Sequence, residues 1–444
     1  MKNVLANLGF ILQFTGILMI IPIIVGFYYN ETFSLIYLFL TSFIFLSFGF
    51  ILNALAERKE LSIKEACFLL FLTFLILSLI GSIPYFFLAF KSENFIENFI
   101  NGFFEASSGF TTTGLTLLDF PENLPKSLIV YRSLTQWIGG IGIVYLLLSF
   151  FYKEKILKNF AEVFGIKKTL NRIKTSMLEV VSVYAIITVI FIFILHFIYK
   201  IDLIDASSAV FSSISTGGFL PNSNFLENKE ILKILMIAMI LGSMNFYILH
   251  SLFTKNFSAL RSSELIMFLL IFFGSIFFVY YILNKDLLDY SFHILSAIST
   301  TGFQYIRIEE SLKPLFIILM FIGGMSFSTA GGIKVKRIVD LLKSIKNVVH
   351  IKIKKINEID ENIVISLFVI SFSFFLVFLF AYFVFSNLNF LDALFITISS
   401  YSNVGLLPTE IELTLLQKIA LSILMIIGRI EIITFFVAIY NVRK

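Results

Sequence analysis

Four stretches of this chain share one order of residues: a small polar residue, any residue, a glycine, then a large apolar residue. They read Gly109-Phe110-Thr111-Thr112-Thr113-Gly114-Leu115, Ser213-Ile214-Ser215-Thr216-Gly217-Gly218-Phe219, Ala297-Ile298-Ser299-Thr300-Thr301-Gly302-Phe303 and Ser400-Tyr401-Ser402-Asn403-Val404-Gly405-Leu406. Residues of these types suit the replacement of a cation's hydration shell. Backbone carbonyls provide oxygens without a formal charge that would trap the ion. Glycine lets the chain adopt positive φ and aim several carbonyls at one point. Four loops around one axis give rings of four ligands, built on Gly114, Gly218, Gly302 and Gly405. Thr112, Thr113, Thr216, Gly217, Thr300, Thr301, Asn403 and Val404 add carbonyl or side-chain oxygens. A single loop of this kind is an ordinary turn between helices. Four copies at equivalent places make the ring the better reading.

The elements around these loops must hold them in register. Runs long enough to cross a bilayer, about 20 mostly apolar residues, occur at 4–28, 33–56, 66–90, 128–151, 176–199, 231–254, 264–284, 314–330, 362–386 and 414–441. Shorter apolar stretches at 97–111, 204–216, 288–300 and 390–402 each lead into one loop. A half-length helix followed by polar backbone is the pattern of a re-entrant segment lining a water-filled path. The expected fold is therefore an all-α membrane protein of ten spanning helices. Two N-terminal helices (1–60) precede four tandem repeats of span, pore helix, loop and span, at 61–160, 161–260, 261–355 and 356–444. A repeat found four times fixes an architecture more firmly than any single motif.

Composition agrees with a membrane protein. The 444 residues are 58% hydrophobic and 14% charged, with 56 Phe and a mean hydropathy of +0.94. Soluble domains run nearer 45–50% apolar and about 25% charged. The net charge of +5 would suggest nucleic acid in a soluble protein. Here the basic residues lie between apolar runs, so topology explains them and no nucleic-acid partner is expected. With the N-terminus cytoplasmic and the four loops outside, Lys and Arg concentrate inside and Asp and Glu outside. One cysteine, Cys67, and four histidines leave no expected disulfide, metal cluster or cofactor on the chain. The first run is too long for a signal peptide and reads as a retained helix in the cell membrane.

Other residues stand out against this apolar background. Gly323-Gly324-Met325-Ser326-Phe327-Ser328-Thr329-Ala330-Gly331-Gly332 interrupts the second span of the third repeat. Four glycines with Ser and Thr make a poor helix. The segment reads as a flexible gate on the conduction path or as a close-packing surface of small residues. Arg429 lies mid-span, where an ionisable group faces a cavity or a partner. A pore-facing Arg acts as an electrostatic barrier to a second cation. Glu431, two positions on, faces elsewhere and is expected to pair with another helix or a subunit contact. Glu105 reads either as a brace for the first loop or as a vestibule charge. Asn245 is expected to pair with a neighbouring span, His250 to pack, and Trp137 to anchor at the membrane interface.

Taken together these motifs resemble the TrkH/KtrB/HKT superfamily of K+ transport proteins, and within it the TrkH-type membrane subunit. The most specific pieces are Phe104-Glu105-Ala106-Ser107-Ser108-Gly109-Phe110-Thr111-Thr112-Thr113-Gly114, Gln136-Trp137-Ile138-Gly139-Gly140-Ile141-Gly142, Ser328-Thr329-Ala330-Gly331-Gly332-Ile333-Lys334 and Gly428-Arg429-Ile430-Glu431. The resemblance implies a homodimer with one pore per subunit. It also implies a cytosolic nucleotide-binding regulatory subunit of the TrkA or KtrA kind. The family's filter glycines fall on Gly114, Gly218, Gly302 and Gly405, and glycine in the first loop goes with K+ selectivity. Its intramembrane gating loop falls on about Gly323–Gly332, within which Gly323, Gly324, Ser328, Thr329, Ala330, Gly331 and Gly332 are the gate residues, and its pore arginine falls on Arg429.

The function expected is channel-like K+ uptake across the lipid bilayer. A Na+-permeable or H+/Na+-coupled symporter on the same scaffold is the alternative, and Gly114 favours K+. A membrane-embedded enzyme would need clustered intramembrane carboxylates, His or Ser, which the spans lack. A transporter built on inverted repeats would show two broken helices in corresponding halves, not four parallel units.

Overall fold

The computed structural model describes residues 2–55, 61–150, 173–254, 257–283, 287–350, 361–409 and 411–430. Among these the regular secondary structure is all helix, with no strand. Its surface is inverted relative to a soluble protein. Phe273, Phe277, Tyr281 and Phe383 are 61–82% exposed, while Thr111, Thr112, Thr113, Ser299 and Thr300 are fully buried. Outward aromatic surface on this scale belongs against lipid. The polar interior must then find partners within the protein or line a path for water and ions.

Among the described residues six helices are long and apolar enough to span a membrane, and a seventh span arises if one bent pair is counted. The first is Lys2–Tyr28, made of Lys2–Leu18 and Ile20–Tyr28. It packs closely along Thr32–Leu55. A Cβ on Gly9 would lie 2.6 Å from the Gly49 carbonyl oxygen, and one on Gly49 2.7 Å from that of Gly9. Between these two helices Glu31 accepts from the backbone N–H of Lys126 (2.6 Å) and of Ser127 (3.1 Å). It thus neutralises the exposed donors at the start of Lys126–Phe150 and ties the N-terminal pair to the first repeat.

The four short stretches are helices at Phe95–Phe110, Leu203–Ile214, Leu287–Ile298 and Phe390–Tyr401. Each carries an acid in its first turn, respectively Glu97, Asp205, Asp289 and Asp392, where the helix dipole favours it. Asn94 and Asp202 cap the first two by accepting from Ile96 N and Ile204 N. The flanking helices are Ile63–Leu88, Ile173–Phe193 (continued as a π-turn to Ile198), Ser263–Leu283 and Glu361–Val384 on the entering side.

Two expected spans take another form. The run 231–254 is not one helix: Lys229–Ser243 and Phe246–Phe253 meet at 109°. The run 314–330 is helical only over Lys313–Ile322 and ends at Gly323 (φ 71°, ψ −162°), a conformation open to glycine alone. The chain resumes as a helix at Val335–His350. The last run is helical over Leu415–Ile430, and Glu431 lies outside the described residues.

Candidate cation pathway

Each short helix ends in the same turn. Thr112, Thr216, Thr300 and Asn403 adopt left-handed backbone, with φ of 54°, 53°, 58° and 53°. The following N–H groups reach back to close the helix: Thr113 N to Ser108 O (2.9 Å), Gly217 N to Ser212 O (2.7 Å), Thr301 N to Ser296 O (2.9 Å) and Val404 N to Ser399 O (2.8 Å). This is the Schellman arrangement, in which glycine usually holds the left-handed position. Threonine is unusual there because its branched Cβ is crowded. Such a residue costs on the order of 1–3 kcal/mol and persists only where its surroundings enforce it.

The side chains explain the choice in three of the four loops. Thr216 Oγ1 meets Thr329 Oγ1 at 3.2 Å, and Thr300 Oγ1 accepts from Gly331 N at 2.7 Å. Asn403 Nδ2 donates to Thr113 Oγ1 (3.0 Å) and to Met425 O (2.9 Å). In the first loop Thr112 Oγ1 is buried with no hydrogen-bond partner among the described residues, as is Asn403 Oδ1.

The glycines two positions on close a ring. Gly114, Gly218, Gly302 and Gly405 have φ of 86°, 87°, 81° and 93°. A Cβ on Gly114 would strike the carbonyl oxygen of Gly217. One on Gly218 would strike that of Thr301, one on Gly302 that of Val404, and one on Gly405 that of Thr113. The contacts run first to second, second to third, third to fourth and fourth to first. Sequence reasoning grouped these residues, and the structure brings all four loops together around one centre. Glycine is required twice over, by φ and by space.

Each loop also has a polar brace, three of which the sequence did not reveal. Buried Glu105 accepts from Leu117 N (2.6 Å) and Thr116 Oγ1 (2.8 Å), and Arg132 Nη2 stands 3.7 Å from its carboxylate. Glu105 is thus a brace for the first loop and not a vestibule charge. Gln136 holds both faces of the second loop, donating to Gly217 O (2.5 Å) and accepting from Phe219 N (3.2 Å). His293 Nε2 accepts from Tyr305 N (3.2 Å) behind the third loop. Gln304 exchanges two bonds with the backbone of Leu407 in the fourth. The usable signal was an isolated amide or imidazole within an otherwise apolar or hydroxyl-rich stretch.

The segment Gly323–Gly332 lies against the left-handed ends of three loops. It touches Thr216 and Thr300 as above, and a Cβ on Gly331 would strike the carbonyl of Ser402. Thr329 Oγ1 donates to the Gly242 (2.8 Å) and Ile214 (3.1 Å) carbonyls. Arg429, 4% exposed, donates from Nη1 to Thr329 O (2.6 Å) and from Nη2 to Gly139 O (3.0 Å). Its guanidinium therefore also fastens the segment to the first repeat. Trp137 is not an interfacial anchor: it is half-buried, packs on Tyr184 and Phe211, and donates to Thr188 Oγ1 at 3.1 Å.

The family model described as TrkH, cation transport protein, matches residues 34–256 and 252–442. The chain belongs to the TrkH family. It is a transport protein and not an enzyme. An uncharacterized cation transporter of Methanocaldococcus jannaschii is 31% identical, the alignment covering 97% of this chain and 94% of the relative. The Trk system potassium uptake protein TrkH of Escherichia coli K12 is 27% identical over 66% of this chain and 65% of its own length. The fold matches the crystal structure of the potassium transporter TrkH from Vibrio parahaemolyticus with a TM-score of 0.83, at 22% identity, over 99% and 98% of the two chains. This TrkH-family chain is thus an integral membrane protein with several apolar spans and the architecture of that structure.

Proposed function

We propose that the chain is the K+-conducting membrane subunit of a Trk-type uptake system. The observation that carries this reading is the closed ring of Gly114, Gly218, Gly302 and Gly405, each against the carbonyl of the next loop. Four close-set loops rich in carbonyls form a filter that replaces water around a monovalent cation. Thr112, Thr113, Thr216, Gly217, Thr300, Thr301, Asn403 and Val404 complete it. The buried, unpartnered oxygens of Thr112 and Asn403 suit a water or a passing cation. Potassium is the ion named for the relatives from E. coli and V. parahaemolyticus, and glycine at position 114 goes with that choice.

In this reading Gly323–Gly332 is the gate and Arg429 a positive barrier that also latches it. Beside the six apolar spans, the helices Lys126–Phe150 and Leu415–Ile430, the bent pair at Ser243 and the short run Lys313–Ile322 count as spans, giving ten, and the domains follow the repeats at 61–160, 161–260, 261–355 and 356–444. The N-terminus faces the cytoplasm of the cell membrane. A homodimer and a cytosolic nucleotide-binding subunit of the TrkA or KtrA kind complete the system.

The test is flux of K+, Rb+ and Na+ into proteoliposomes for the native chain and Gly114→Ser. Native passage of K+ and Rb+ over Na+, with discrimination lost in the variant, is expected. Equal native passage of Na+ would remove the K+ assignment in favour of a Na+-permeable or coupled symporter.

A further inference from the structure

The two broken spans are one structural unit. At Met244 and Asn245 the second repeat's span unwinds, and the backbone groups freed there bond to the Gly323–Gly332 segment. Met325 N donates to Ser243 O (3.2 Å), Thr329 N to Gly242 O (3.3 Å), and Phe246 N to Phe327 O (2.9 Å). Each break thereby satisfies donors or acceptors that the other leaves open, which an apolar surrounding demands. Side chains add two tethers at a single residue. Asn245 Nδ2 donates to Ser326 O (2.7 Å), and Glu264 Oε1 accepts from Ser326 N (2.5 Å). Glu264 is 8% exposed and stands in the first turn of Ser263–Leu283.

The held segment and the residues just after it are strained. Phe327 (φ 55°) and Lys334 (φ 80°) both sit in the left-handed region, which bulky side chains occupy only when the surroundings compel it. The Phe327 ring packs edge-on against Phe246 at 5.7 Å. The conformation therefore depends on contacts from outside the segment. Around Ser326 and Phe327 those contacts come from the bent helix Phe246–Phe253 with its cap Asn245, and from the start of Ser263–Leu283.

We propose that Asn245 and Glu264 are positioning residues for the gate, and that the bend at Ser243–Phe246 is the lever through which the gate is withdrawn. This rests on the reading of Gly323–Gly332 as the gate. When Phe246–Phe253 swings, it carries Ser326 and Phe327 with it and frees Thr329 from beneath the second loop. A regulatory partner acting on this end of the protein need not touch the strained segment itself.

The test uses Rb+ flux in proteoliposomes and variants that separate capping from tethering. Asn245 also caps Phe246–Phe253, its Oδ1 accepting from Tyr247 N at 2.9 Å. Asn245→Asp keeps the cap but loses the donor to Ser326. Flux is expected to rise about five-fold, the change that one lost hydrogen bond makes in a two-state ratio. Glu264→Ala is expected to act alike, whereas Glu264→Gln keeps an acceptor and stays near native. A second measurement does not depend on these variants folding well. In a Cys67→Ser background, Asn245→Cys with Ser326→Cys is cross-linked by oxidation, which should lower flux, and reduction should restore it. A chain with Gly324–Gly331 deleted reports on the gate itself. If the deletion raises flux while the tether variants and the cross-link leave it unchanged, the lever is wrong and the gate reading stands. If the deletion leaves flux unchanged, the gate reading fails and the lever falls with it.

Discussion

The first and third repeats carry the same double glycine in their second span and use it in opposite ways. Gly139-Gly140-Ile141-Gly142 lies inside the continuous helix Lys126–Phe150. Gly323-Gly324 ends the helix Lys313–Ile322. At Gly139 the span passes close to a neighbouring backbone. A Cβ on Gly139 would strike the carbonyl of Phe110, the last residue of the first short helix. Gly242 stands in the same relation to Ile214, and Gly428 to Tyr401. In the third repeat the space beside Gly323 is taken instead by Gly331 and Gly332 of its own chain. The difference lies in what the neighbours offer. Around Met325–Gly331 stand the Ser243 and Gly242 carbonyls, Phe246 N, Glu264 and Thr300 Oγ1, each bonded to a group that the broken helix exposes. Glycine lowers the cost of a break, and tertiary hydrogen bonds decide whether it happens.

Alanine at the paired positions should break this comparison most strongly. Gly139→Ala forces the helix against a backbone carbonyl that cannot rotate away, so the first short helix must shift. A stability loss of about 1–3 kcal/mol, read as a lower melting temperature in detergent, and loss of K+ flux are expected. Unchanged melting and flux would mean that the close approach is unimportant. Gly323→Ala meets the same obstruction and a backbone region nearly closed to alanine, worth about 1–3 kcal/mol. Here the strain falls on the segment alone, so flux should rise while melting changes less than for Gly139→Ala. Next in size is Thr329→Val, which keeps the shape but removes the hydroxyl bonded to Gly242 O and Ile214 O. Those carbonyls lose a donor at about 1 kcal/mol, and flux should rise several-fold. Gly274→Ala is the smallest. Its Cβ would meet nothing within 4 Å, so it should stabilise Ser263–Leu283 by up to about 1 kcal/mol and leave flux unchanged.

How legible each region was follows from the range of the forces that shape it. The four short helices appear at 95–110, 203–214, 287–298 and 390–401, within two residues of where the apolar runs begin and end. Their signals are local: an apolar run, an acid in the first turn, and a polar residue with glycine two positions on. The bend at Ser243 was not legible as a break. Gly242-Ser243-Met244-Asn245 resembles tolerated small residues in a span, and only the Asn245 cap on Phe246–Phe253 hints otherwise. Gln136 falls within one of the motifs that carry the family resemblance, yet its role depends on the second loop, far along the chain, and no spacing rule predicts it. Arg429 was legible as an intramembrane charge, but its acceptors, Thr329 O and Gly139 O, come from two other repeats.

By itself the sequence determined the membrane class, four short apolar helices that each lead into a glycine-containing loop, and the loop glycines that take positive φ. These follow from hydropathy and backbone sterics, which act over a few residues. Only the tertiary structure decided which glycine pair breaks its helix, which side chains brace each loop, and that Gly242–Phe246 and Met325–Thr329 hold one another. In an apolar surrounding an unwound backbone is stable only where its freed N–H and C=O groups meet partners, and those partners are set by packing between repeats.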